Sequence, residues 1–271
     1  MSSVGSSYAP EALVLNEVVE PGLVRLTLNR PNAFNALSEA MLSALQTELD
    51  AIAKNPAIRV VVIAGAGKAF CAGHDLKEMR AAYQDADSMD YYKALFTQCS
   101  RMMLSLQKMP QPVIAQVHGI ATAAGCQLVA MADLAVADME TRFAVSGINY
   151  GLFCSTPSVG LSRNMLRKQA IEMLLTGDFI DAAQAKEQGL INQVVQSEAL
   201  PQAAIALARK IMAKPEAAVR MGKQLFYSQL EVGIEQAYQM AGQTMACNMM
   251  DADALEGVAA FIEKRKPNYK L

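Results

Sequence analysis

Only two histidines, His74 and His118, occur in the 271 residues, and there is no tryptophan. With so few imidazoles, and with no cysteine pair at zinc-ligand spacing, no metal site is expected. The five cysteines, Cys71, Cys99, Cys126, Cys154 and Cys247, are odd in number and scattered. That argues against a disulfide framework and suits free thiols in a reducing compartment. Neither sign of charge dominates: the net charge is −2, with acids and bases interspersed, which speaks against a nucleic-acid binder. No apolar run reaches the roughly 18 residues that would span a membrane. The opening "MSSVGSSYAP" lacks the basic flank and apolar stretch of a secretion signal. A soluble, cytoplasmic protein is expected, with one large core or one core plus a small appended unit.

What is present is a dense apolar pattern, 52% hydrophobic against 18% charged residues. "ALVLNEVVEPGLVRLTLNRP" reads as two strands around Pro21-Gly22. Ser38 is placed to cap a helix over 39–54, with Met41, Leu42, Leu45, Leu49 and Ile52 near helical spacing. "RVVVIAG" (59–65) and "QPVIAQVHG" (111–119) are β-branched apolar runs of the kind buried on both faces of a sheet. Helical sequence covers roughly 75–109, interrupted around 84–90, and again 123–132 before the strand "DLAVAD". From about 158 helices dominate, with a lone strand-like "INQVV" at 191–195. Strands and helices alternate first and helices follow, which predicts an α/β core with a helical C-terminal section.

Several chemistries fail on spacing. "GAGKAFCAGHD" (65–75) is not a Walker loop, because Val62 stands where the first glycine belongs and Ala69 where Ser or Thr should follow Lys68. Phe70 occupies a position that a dinucleotide fingerprint needs as glycine. The Ser146-Gly147 pair has Ala144 where a nucleophile elbow needs glycine, so a serine hydrolase is not expected. His118 ends a buried strand and reads as structural. Lys68 and Lys77 flank the Gly-rich loop and read either as solvated lysines or as contacts to a phosphorylated ligand. "FAVSGINYGLFCSTP" (143–157) reads as a loop or as a site wall offering Tyr150, Cys154, Ser155 and Thr156.

The segments "LTLNRPNAFNALS", "VVVIAGAGKAFCAGHDLKEM", "QPVIAQVHGIATAAGCQLVAMADLAVAD" and "EMLLTGDFIDAAQAKEQGLINQVV" occur in order along the chain. Together they resemble the crotonase superfamily, the enoyl-CoA hydratase/isomerase family. The resemblance implies a crotonase-type β/α spiral core over 1–200 carrying an acyl-CoA site. It implies a helical C-terminal oligomerisation region over 201–271, and homotrimers or dimers of trimers. It also implies a lyase or isomerase that takes a coenzyme A thioester as substrate and needs no separate cofactor. Two main-chain N–H groups would hold the thioester oxygen as it becomes enolate-like, here those of His74 and Ala124; an N–H at a helix start suits a developing anion. Ala33, Ala36, Ala72, Asp75 and Leu76 match positions whose backbone meets CoA, and Lys68 and Lys77 match positions facing its phosphates. Asn32 stands where many members carry a base.

The departures concern proton transfer. Family hydratases carry two glutamates, and the matching positions here are Gln127 and Gly147. An amide and a glycine exchange no proton at neutral pH. Each positioned acid or base contributes roughly 10²–10⁴-fold, so ordinary hydratase activity is expected to be weak or absent. Other members place reactive groups on the stretch matching Tyr150–Thr156, which offers Cys154 and Ser155. A decarboxylase, an isomerase or a non-catalytic acyl-CoA-binding protein are the alternatives.

Overall fold

The computed structural model describes residues 12–83 and 87–269. The opening "MSSVGSSYAP", on which the expectation about a secretion signal rests, lies outside the described residues. In chain order the elements are β1 (Val14–Glu20), β2 (Leu23–Leu28), α1 (Glu39–Ala53), β3 (Val60–Gly65), α2 (Leu76–Ala82), α3 (Ser88–Lys108), β4 (Val113–Val117), β5 (Ile120–Thr122) and α4 (Ala124–Met131). Then come β6 (Leu134–Asp138), β7 (Arg142–Ala144), α5 (Ser155–Asn164), α6 (Arg167–Thr176), β8 (Ile180–Asp181), α7 (Ala182–Glu187) and β9 (Gln193–Val195). Four helices end the chain: α8 (Leu200–Met212), α9 (Glu216–Gln229), α10 (Ile234–Met249) and α11 (Ala252–Ile262).

The main sheet has six strands in the order β1-β2-β3-β4-β6-β9, antiparallel only between β1 and β2. Gly22, at φ +85°, makes the expected hairpin turn. Alternation along β3 decides what covers each face. Val61 and Ile63 point into the large core with Leu45 and Leu49 of α1 and Met102 and Leu106 of α3. Val60 and Val62 point the other way, onto Leu200, Ala204, Ile205 and Ala208 of α8. Covered on both faces, β3 and β4 can be apolar throughout. Helix α1 begins as its sequence requires: Ser38 Oγ accepts from the Met41 N–H at 3.1 Å, and Met41, Leu42, Leu45, Leu49 and Ile52 are buried.

A second, three-stranded sheet, β5-β7-β8, was not expected. Its strands are two or three residues long, too short for alternation to register. The chain leaves β4 for β5 through His118-Gly119, where Gly119 has φ +64° and a Cβ would collide with the Lys68 carbonyl. The Phe70 N–H bridges this break, donating to the His118 and Ile120 oxygens at 3.0 and 3.1 Å. His118 itself meets the Gly67 oxygen through Nε2 at 2.9 Å. No helix among the described residues is long and apolar enough to cross a membrane.

A buried polar cluster ties the C-terminal helices to the core. Lys223 on α9 directs Nζ at the Leu106 oxygen, the Gln111 oxygen and Asp133 Oδ2, at 2.6, 2.8 and 2.6 Å. Asp133 also accepts from the Val113 N–H and from the Tyr227 hydroxyl. Burial pushes the Asp133 carboxyl up and the Lys223 amine down, each opposed by its partner's charge. All three ammonium hydrogens have acceptors, so the pair is compensated. Lys223→Met leaves Asp133 charged and unpaired, and is expected to cost about 3–5 kcal/mol of stability, read by urea unfolding at neutral pH. A loss below about 1 kcal/mol would mean that the pair is not a structural tie.

Candidate active site

The site begins with one buried amide. Asn35 is fully buried at φ +55°, a left-handed conformation that Asn tolerates better than most residues. Its Oδ1 accepts from the Arg30 N–H at 2.9 Å. Its Nδ2 lies 2.9, 2.8 and 3.2 Å from the carbonyl oxygens of Ala66, Ala69 and Phe70. One side chain thus fastens the 30–37 segment to the Gly-rich loop. Beyond it the two segments run side by side: Ala72 N–H to the Phe34 oxygen at 3.0 Å, Leu37 N–H to the Gly73 oxygen at 2.7 Å, and Asp75 N–H to the Leu37 oxygen at 3.3 Å. In this parallel bridge the His74 N–H points away from Leu37. Among the described residues it has no acceptor.

The other half of the site is the start of α4. Gly73, at φ +92°, is pressed against it: a Cβ there would lie 2.9 Å from the Ala123 Cβ and 3.1 Å from the Ala124 nitrogen. At Gly125 a Cβ would collide with the Cys71 carbonyl. Thr122 closes the seam, its N–H on the Cys71 oxygen and its Oγ1 on the Ala72 oxygen, both at 3.0 Å. Ala123 precedes the helix at φ +48°, ψ −119°, a conformation that costs a residue with a Cβ about 1–3 kcal/mol. The first helical bond is Gln127 N–H to the Ala123 oxygen at 3.0 Å, which leaves the Ala124 N–H as a free donor of the first turn.

Between these halves lies a cavity of about 360 Å³. Ala72, His74, Leu76, Ala124, Gly147 and Ser155 line it, as do Tyr150, Cys154 and Thr156 of the expected wall. Gln127 does not; it is buried behind the wall, and its Oε1 has no hydrogen-bond partner among the described residues. Ala33, Ala36, Lys68, Asp75 and Lys77 also lie outside the lining, along the clamped loops. Ala36 is buried, while Lys68 and Lys77 are exposed. The Asp75 carboxylate is taken up internally, by Arg30 Nη1 at 2.6 Å and by the Lys77 N–H at 2.9 Å. Burial raises that carboxyl, but these hydrogen bonds hold it below its ordinary value.

The His74 ring stands edge-on to Phe96, centroids 5.5 Å apart. Its Nε2 is buried without a partner among the described residues, and burial lowers its pKa to about 4. The imidazole is therefore uncharged at neutral pH. Gly147 is not an empty position: a Cβ there would lie 2.5 Å from the Leu152 oxygen and 2.7 Å from Cys154 Sγ. Burial raises the Cys154 thiol, partly offset by the Gly147 amide. Ser155 Oγ donates weakly to the Phe153 oxygen at 3.3 Å. Sequence reasoning missed Asn35, Met79 and Phe96. An Asn following Phe34 in a Pro-initiated turn was the one available signal; the two apolar residues look like ordinary core.

A sequence model of the enoyl-CoA hydratase/isomerase family matches residues 19–271. The mouse protein named enoyl-CoA hydratase domain-containing protein 3, mitochondrial, is 43% identical over 92% of this chain and 81% of its own length. A solved structure described as an enoyl-CoA hydratase of Mycobacterium smegmatis is 60% identical, with a TM-score of 0.93, covering 96% of this chain and 100% of the other. The solved human enoyl coenzyme A hydratase domain-containing protein 3 is 40% identical, with a TM-score of 0.89, over 95% and 100%. One expectation is corrected: relatives from mouse, zebrafish, Xenopus laevis and human are all named mitochondrial, which overturns the cytoplasmic assignment. Free thiols fit any reducing compartment and could not single out the cytoplasm. The fold is the crotonase-type α/β core, and with a match across nearly its whole length the chain belongs to the enoyl-CoA hydratase/isomerase family.

Proposed function

We propose that the chain binds an acyl-CoA thioester in the cavity and polarises its carbonyl toward an enolate with the main-chain N–H groups of His74 and Ala124. The observation that carries this reading is the pair of unpaired donors on two loops pressed together at Gly73. A donor of this kind is worth about 2.7–4 kcal/mol of barrier lowering. The CoA moiety would follow the clamped backbone at Ala33, Ala36, Ala72, Asp75 and Leu76. Lys68 and Lys77, exposed and without ion-pair partners among the described residues, would meet its phosphates. The membership of the family supports the substrate class.

The site lacks the means for ordinary hydration. Gln127 cannot serve as an acid or base near neutral pH, and the space beyond Gly147 belongs to the Leu152 carbonyl and the Cys154 sulfur. Binding without turnover is the second reading, and this closure favours it.

Oligomerisation through the last helices belongs to the same proposal. Phe226, Ile234, Tyr238, Met250 and Phe261 on α9, α10, α11 and the turn between them are 57, 75, 74, 80 and 85% exposed in the single chain. Other copies of the chain would cover them, giving homotrimers or dimers of trimers.

Three outcomes are expected. On binding, the infrared carbonyl band of a saturated acyl-CoA moves to lower frequency, whether or not turnover occurs; an unshifted band at saturation would rule out the oxyanion pair. Crotonyl-CoA hydration runs at least about 100-fold below that of glutamate-bearing hydratases. Gln127→Glu does not restore it, and adding Gly147→Glu destabilises the fold by about 1–3 kcal/mol. Sedimentation gives three or six times the 29.2 kDa chain mass, and Phe261→Asp moves it toward single chains.

A further inference from the structure

We infer that the cavity accepts only acyl groups that carry no charge, because its walls offer hydrogen-bonding and apolar contacts but no counter-ion. The inference rests on the acyl-CoA reading and narrows its substrate class.

Among the described residues no Lys, Arg, Asp or Glu lines the cavity. Met79, Phe96, Leu152 and Phe153 give it an apolar surface. The polar groups are hydroxyls, a thiol and one imidazole. Thr122 Oγ1 is already committed to the Ala72 oxygen, and Ser155 Oγ to that of Phe153. Cys154 is kept as a thiol by burial. Asp75 follows His74 in sequence, yet its carboxylate turns away to Arg30. Lys68, in the Gly-rich loop, and Lys77, in the first turn of α2, stay exposed beyond the lining.

His74 is the one group that could become a cation opposite a buried carboxylate. With its pKa lowered to about 4, protonation at pH 7 is disfavoured by about a thousandfold. Its unpartnered Nε2 suits a neutral ligand better: it can pair with a hydroxyl, carbonyl or amide at no electrostatic cost. A carboxylate on the acyl chain would instead be desolvated with no counter-ion to compensate its charge. Thioesters that form an enolate by losing CO2 fall in the excluded class. What remains is chemistry on uncharged chains.

The test is calorimetric binding of CoA esters matched in carbon number, butyryl against succinyl and hexanoyl against adipyl. Each carboxylated ester is expected to bind at least about 100-fold more weakly than its partner. The ω-amide of adipyl-CoA, equal in size but uncharged, is expected within about tenfold of hexanoyl-CoA. Binding of succinyl- and adipyl-CoA within threefold of their partners overturns the inference. So does rejection of the amide as strongly as adipyl-CoA, since size would then be the cause. Failure of every ester to bind overturns the acyl-CoA reading itself, and this inference with it.

Discussion

The close pass of residues 70–74 against the start of α4 is the contact on which the site depends. It is made by main chain, not by side chains. Gly73 and Gly125 remove the two Cβ atoms that would hold the loops apart, and Gly119 lets β5 turn beneath Lys68. Thr122 and the Phe70 N–H then fix the separation with hydrogen bonds near 3 Å. Both proposed donors are backbone atoms of this seam. Their positions follow from the loop geometry, so the side chains at 74 and 124 can vary without removing them.

Holding such a seam open has a cost that the rest of the fold offsets. Two donors without protein acceptors and an alanine in a left-handed conformation each oppose folding by about 1–3 kcal/mol. The sheet behind them is the opposite: β3 and β4 are buried on both faces, covered by α1 and α3 on one side and α8 on the other. At the cavity, by contrast, two main-chain donors are left without acceptors among the described residues. The neutral, desolvated His74 imidazole lines the same cavity, its Nε2 unpartnered among the described residues.

Much of this was legible because the signals were local. The five core residues of α1 and its Ser38 cap, the hairpin at Gly22 and the strands β3, β4 and β6 follow from spacing and turn chemistry within a dozen residues. The second sheet was not legible, since strands of two or three residues carry no periodicity. Nor were contacts between distant positions: Asp133 with Lys223 spans 90 residues, and Asn35 with Phe70 spans 35. Gly147 is the most instructive case. From sequence it was a glutamate position left vacant. In the fold it is a position already filled by Leu152 and Cys154. Residue type reports what a site lacks, while only packing reports whether the missing group has room to return.

The buried amide of Asn35 carries a consequence for chemical ageing. Hydrolysis of that amide changes the side chain by one group, NH2 to oxygen. Here the NH2 points at three carbonyl oxygens, those of Ala66, Ala69 and Phe70. Its replacement would set a carboxylate oxygen against all three. A single deamidation would therefore weaken the clamp and leave the loops to their main-chain bonds, such as Leu37 N–H to the Gly73 oxygen, without touching any residue that lines the cavity. The chemical endurance of the clamp thus rests on one amide that lies outside the cavity lining.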